Sequence, residues 1–108
     1  MNQQDYNTMR QALEDVFATL YLVDTELLSD AQRVQHQTAL STAYSAMVRM
    51  ENSKLGDLAE QRKLALGKLL AAVRQLQKKL AKLKDTQDKL TEVAGNLDVL
   101  AAVVRVFV

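Results

Sequence analysis

The residues that could do chemistry are few. The chain has one histidine and no cysteine, so there is no disulfide framework and no thiolate metal site. His36 lies between Gln35 and Gln37, on a stripe that also carries Leu40, Ala43, Met47 and Met50. A lone histidine on an apolar stripe reads first as a hydrogen-bonded core or bundle-end residue, and only second as a ligand or base. No E-x-x-H pair and no H-E-x-x-H motif accompanies it, which removes the ligand sets of bundle di-iron sites and zinc proteases. Gly56, Gly67 and Gly95 form no phosphate-binding loop, and there is no G-x-S-x-G elbow. Glu14 and Asp15 are neighbours, so on a helix they point about 100° apart and do not face each other as a carboxylate pair. The expectation is a non-enzyme with no catalytic residues, no cofactor and no metal.

Charge is distributed unevenly beneath a net value of +1. From Gln61 to Lys84 there is no acid and eight cations: Arg62, Lys63, Lys68, Arg74, Lys78, Lys79, Lys82 and Lys84. Residues 1–30 lean the other way, with Asp5, Glu14, Asp15, Asp24, Glu26 and Asp30 against Arg10 alone. A basic block of this kind can neutralise phosphates in a salt-dependent manner. Yet no aromatic side chain falls between Arg62 and Lys84 to stack on bases, and the cations spread over several helical positions instead of one ridge. The favoured reading is a solvated basic face that pairs with the acidic first helix of the same or another chain.

Three glycines, no proline and helical spacing of the apolar residues define an all-α chain. Tyr6, Met9, Leu13, Val16, Leu20, Val23 and Leu27 follow a three-four rule, and Phe17, Tyr21 and Leu28 widen the stripe. A first helix is expected over about residues 4–25. Ser29-Asp30-Ala31-Gln32 fits a capping box, which starts a second helix over about 30–51. Ala39, Ala43 and Ala46 would let a neighbouring helix come close, and the two helices form an antiparallel hairpin.

The longest signal begins at Leu55, with Asn52 or Ser53 as its cap. The three-four spacing then continues to Val108, broken only by Arg62 and Gln87. Such persistence marks a coiled-coil or bundle seam, and an unbroken helix over about 54–108 would be roughly 80 Å long. The interaction seam comprises Leu66, Leu69, Val73, Leu76, Leu80, Leu83, Gln87, Leu90, Leu97, Leu100, Val104 and Phe107. Gln87 is read either as a register-setting buried polar residue or as a partly exposed residue near a helix end. Asp85-Thr86 and Gly95-Asn96 are the places where the run would break, and a break near 85 would give a four-helix bundle. The unshifted phase favours continuity. A hairpin covering only about 35 Å of such a helix would leave apolar seam for another chain.

Residues 97–108 are apolar nearly all round, with Arg105 as the polar exception from Val99 onward. They are expected to be buried against protein, in an oligomer or a partner's groove, with insertion into a membrane interface as the alternative. No stretch reaches the roughly 20 apolar residues of a membrane span, and the polar N-terminus shows no secretory signal. A soluble, cytoplasmic protein is the default. The functional expectation is a helical assembly module that binds itself, as a homo-oligomer, or an unidentified protein partner through residues 55–108. The alternatives are an amphipathic membrane-surface protein using the basic helix and residues 97–108, and nucleic-acid binding through residues 62–84.

Overall fold

The computed structural model describes residues 1–108 and is built from helices alone, with no strand. Helix α1 is Gln3–Tyr21, α2 is Asp30–Asn52, α3 is Glu60–Lys82, α4 is Thr86–Gly95 and α5 is Leu97–Val106. The Asn2 side chain caps α1 by accepting the Asp5 N–H at 2.7 Å. Tyr6, Met9, Leu13, Val16 and Leu20 are buried along it, as their three-four spacing requires. The helix stops at Tyr21, short of residue 25, because a 3₁₀ turn at Thr25–Leu27 intervenes. Asp24 anchors that turn by accepting the Glu26 N–H. The capping box forms as expected: Gln32 N–H donates to Ser29 Oγ at 3.2 Å, and Ser29 N–H donates to Gln32 Oε1 at 2.9 Å.

Helices α1 and α2 form the expected antiparallel hairpin. Tyr6 near the start of α1 reaches Met50 near the end of α2, and His36 near the start of α2 reaches Leu20 near the end of α1. Ala39, Ala43 and Ala46 have no exposed surface, so α2 meets its neighbours through small side chains that allow close approach.

The third helix does not begin near residue 54. A second 3₁₀ turn at Leu55–Asp57 comes first, anchored by buried Leu55, and neither Asn52 nor Ser53 is the cap of α3. Its N-cap is Ala59, which has no side-chain oxygen to offer. The basic end of α3, Lys79 and Lys82, suits the negative pole of the helix dipole.

The continuous helix from 54 to 108 does not form either. Helix α3 ends at Lys82, and Leu83 is extended. Asp85 then caps α4, accepting the N–H groups of Gln87 at 2.8 Å and Asp88 at 3.2 Å. An aspartate that binds backbone N–H groups two and three residues ahead starts a new helix instead of continuing an old one. A second interruption falls at Asn96, whose side-chain amide donates to the Glu92 carbonyl at 2.9 Å. The molecule measures 43 × 26 × 19 Å, which leaves no room for a rod of about 80 Å. Turning back at residues 83–85 lets α4 and α5 bury their apolar sides on the same chain, where a straight helix would leave much of that surface wet.

Helices α1 and α5 lie on opposite sides of the bundle, each packed against both α2 and α3, while α4 touches all four others. Residues 4–11 of α1 share one groove with Arg74 and Gln77 of α3, and residues 15–19 share the next with residues 77–81, so the two helices run in the same direction. The ends of α1 and α3 and the starts of α2 and α4 therefore meet at one end of the bundle. One core of 20 buried apolar residues runs through all five helices.

The uncapped start of α3 yields a stability prediction. The Ala59 backbone is extended, with φ −63° and ψ 151°, a conformation in which a serine hydroxyl can accept an N–H of the first turn. Ala59→Ser is expected to stabilise the fold by about 0.5–1 kcal/mol, read as a higher urea midpoint with an unchanged slope.

Candidate functional site

The predicted seam is turned inward. Leu66, Val73, Leu76, Leu80, Leu90 and Leu100 are buried in the chain's own core. Leu69, Leu83, Leu97, Val104 and Phe107 are partly buried against that core. Gln87 is exposed in the first turn of α4, so it sets no register. Beyond Leu90 the buried stripe runs through Val93, Leu100 and Val103. That is one residue before the Ala94, Ala101 and Val104 positions that an unbroken three-four count selects. The C-terminal segment is covered in the same way: α5 packs between α2 and α3, so its apolar character is answered by the chain itself.

The basic block stays on the surface. Lys63 pairs with Glu60 at 3.1 Å and Lys79 with Glu92 at 3.3 Å. Arg62, Lys68, Arg74, Lys78, Lys82 and Lys84 take part in no ion pair. Pairing of this block with the acidic first helix is therefore not what holds α3 to α1. Arg74 shares a surface groove with the neutral side chains of Gln4, Asn7, Thr8, Gln11 and Gln77. The polar link between the two helices is Gln77 Nε2 donating to Asp15 Oδ2 at 2.6 Å.

His36 is the bundle-end residue its position suggests. It is 6% exposed, and its Nε2 lies 2.7 Å from the Leu20 carbonyl near the end of α1. Tyr6 mirrors it at the other end of the hairpin. Its hydroxyl lies 2.7 Å from the Met50 carbonyl and 2.9 Å from that of Ser53, and it shares its one proton between these carbonyls at the end of α2. Burial pushes the Tyr6 hydroxyl pKa up, and nearby Arg10 pulls it part of the way back. Spacing along the chain concealed this role, because the partners are 44 and 47 residues away.

A facing carboxylate pair does exist, though not between the neighbours Glu14 and Asp15. Glu14 of α1 meets Glu51 of α2. A hydrogen bond to the Glu51 side chain raises the Glu14 pKa most, followed by burial and by the Glu51 charge, while Arg10 opposes the shift. The antiparallel hairpin creates this pair, and the sequence offers no local signal for it. No cluster of three or more His, Cys, Asp or Glu residues is placed to hold a metal ion.

What the fold leaves open is an apolar surface. Five of the seven large hydrophobic side chains in contact with solvent lie between residues 21 and 44: Tyr21, Leu22, Leu27, Val34 and Tyr44. Leu22 is 80% exposed and Tyr21 69%. Phe17 links two of them, its ring centroid 5.8 Å from that of Tyr21 and 5.5 Å from that of Tyr44. Beside this strip is a groove of about 530 Å³ between α1, α3 and α4. Val16, Ala18, Leu22, Val23, Leu80 and Ala81 supply its apolar lining, and Lys78 and Lys89 its cations.

These features define an all-α bundle with an exposed apolar strip and a lysine-bearing groove at one end. No protein-family model, curated protein or solved structure matches the chain. No helix is long and apolar enough to cross a membrane.

Two substitutions test the polar contacts. Tyr6→Phe keeps the ring and leaves the buried Met50 carbonyl without its donor, so a loss of about 1–3 kcal/mol is expected in denaturant unfolding. For Glu14 the folded pKa is raised, so its contribution to stability is present below the unfolded pKa and lost as pH rises through the folded one. Glu14→Gln is therefore expected to melt higher than the parent at neutral pH, with the two curves converging as pH falls toward 4 (about the unfolded carboxylate range).

Proposed function

We propose that this chain is a non-enzymatic helical interaction module whose contact surface is the apolar strip from Tyr21 to Tyr44 with the adjoining groove. The observation that carries the reading is the position of the exposed hydrophobic side chains. The core accommodates 20 apolar residues, and still Tyr21, Leu22, Leu27 and Val34 stand in solvent where α1 gives way to α2. Isolated exposed leucines are ordinary. A concentration of aliphatic and aromatic side chains in one stretch, beside an apolar groove with charged edges, has the make-up of a protein contact.

The interaction role proposed from the 55–108 seam is thereby kept, and its location moves. Most seam residues already contact α1, α2 or one another and have little surface left for a partner. The membrane-surface alternative loses its inserting segment for the same reason, since Leu100 and Val103 are buried and Val104, Val106 and Phe107 pack on the core. Nucleic-acid binding through residues 62–84 gains no aromatic platform, because Tyr21 and Tyr44 belong to the α1–α2 hairpin.

Site-specific photo-crosslinking in the native cell tests the reading directly. A photoreactive phenylalanine analogue in place of Tyr21, Leu22 or Leu27 is expected to give discrete protein adducts. The same analogue in place of Gln75, on the exposed face of α3, is expected to give none. Absence of adducts at all three strip positions would overturn the proposal.

A further inference from the structure

The groove between α1, α3 and α4 and the turn that follows α1 carry opposite charge and lie side by side. Lys78 and Lys89 line the groove with one acid, Asp15, whose carboxylate accepts from Gln77; neither lysine has an ion-pair partner, so cations prevail in the lining. Its wall includes Leu22 and Val23, and the chain runs from them directly into Asp24-Thr25-Glu26-Leu27. That turn is exposed throughout, carries two acids, and holds Leu27 out in solvent at 66% exposure. Neither Asp24 nor Glu26 is paired with a cation, so the turn does not neutralise the lysines of its own chain. An occupant suited to the groove has an apolar side chain flanked by carboxylates, and the turn of this protein has that composition.

Because the groove and the turn adjoin on one face, a two-fold axis through that face places the turn of each copy in the groove of the other. We propose that the Asp24–Leu27 turn docks into the α1–α3–α4 groove of a second copy, and the reverse, to form a two-fold homodimer. Leu27 lies against Leu22, Val23 and Ala81 of the other copy, and Asp24 and Glu26 face its Lys78 and Lys89. This rests on the reading above that the strip is a protein contact, and it names the partner.

Sedimentation of the full chain over a micromolar concentration series tests it with charge swaps. The parent is expected to sediment at twice the chain mass at low salt, and more weakly as salt screens the pairs. Lys78→Glu with Lys89→Glu gives a groove that repels the turn. Asp24→Asn with Glu26→Lys gives a turn that repels the groove, and the asparagine keeps the oxygen that accepts the Glu26 N–H. Each double variant is expected to weaken self-association by roughly tenfold or more. An equimolar mixture of the two is expected to dimerise again, because both contacts of the mixed pair are then complementary. Asp24, Glu26 and Lys78 are exposed and Lys89 is half-buried, and helical circular dichroism with an unchanged melting profile verifies that each variant folds.

A parent that stays monomeric throughout the series overturns the proposal, as do double variants that dimerise like the parent or a mixture that fails to recover. Crosslinks from Leu22 to a different protein, with a monomeric parent, overturn the dimer alone and leave the interaction surface standing. Absence of any crosslink from the strip removes both.

Discussion

Buried hydrogen bonds at both ends hold the α1–α2 hairpin in register, and the remaining helices depend on that register. His36 of α2 meets the Leu20 carbonyl as α1 ends, and Tyr6 of α1 meets the Met50 carbonyl as α2 ends. Tyr6 supplies a donor to Met50 and Ser53, carbonyls at the end of α2 that lack an intrahelical partner, while His36 adds a second donor to the Leu20 carbonyl, which also accepts the Val23 N–H. A shift of one residue along the pair would strand a buried polar group at both ends, which is far less tolerable than sliding two apolar stripes. Between these bonds, Ala39, Ala43 and Ala46 keep the α2 surface low. Helices α3 and α5 then close the core from either side.

The sequence was most legible where a local rule governs. The helical class, the Ser29–Gln32 capping box, the small-residue stripe of α2 and the stripe of α1 all follow from residues within one or two turns of each other. It misled where two solutions satisfied the same pattern. Residues 93–104 are so rich in valine, leucine and alanine that a stripe through Ala94, Ala101 and Val104 and one through Val93, Leu100 and Val103 are equally apolar. The phase that persists beyond Leu90 is therefore no evidence for an unbroken helix. Asp85 and Asn96 were visible as places to stop, and their capping bonds outweighed periodicity. Contacts between distant residues, such as Tyr6 with Met50 and Glu14 with Glu51, have no signature in spacing. They are set by how two helices lie together.

The charge separation along the chain takes on a different meaning once the helices are placed. It suggested an internal clasp between an acidic first helix and a basic third one. In the bundle, apolar packing joins α1 to α3 and the cations of α3 are left largely unmatched. Burying such ion pairs would require desolvating both partners, a cost that apolar packing between α1 and α3 does not carry. The charges instead pattern the surface, basic along α3 and acidic in the turn after α1. In an interface, such patterning governs the orientation and speed of encounter more than the strength of holding.

The placement of the tyrosines also makes the protein its own spectroscopic reporter. There is no tryptophan, so near-ultraviolet emission comes from three tyrosines. Tyr6 is sealed in the core with its hydroxyl bonded to a carbonyl, while Tyr21 and Tyr44 stand in water on either side of Phe17. One chromophore thus senses the integrity of the hairpin and the other two sense what covers the surface. Burial pushes the Tyr6 ionisation up, so in alkaline titration the core phenol resists to higher pH in the folded protein than in the unfolded chain.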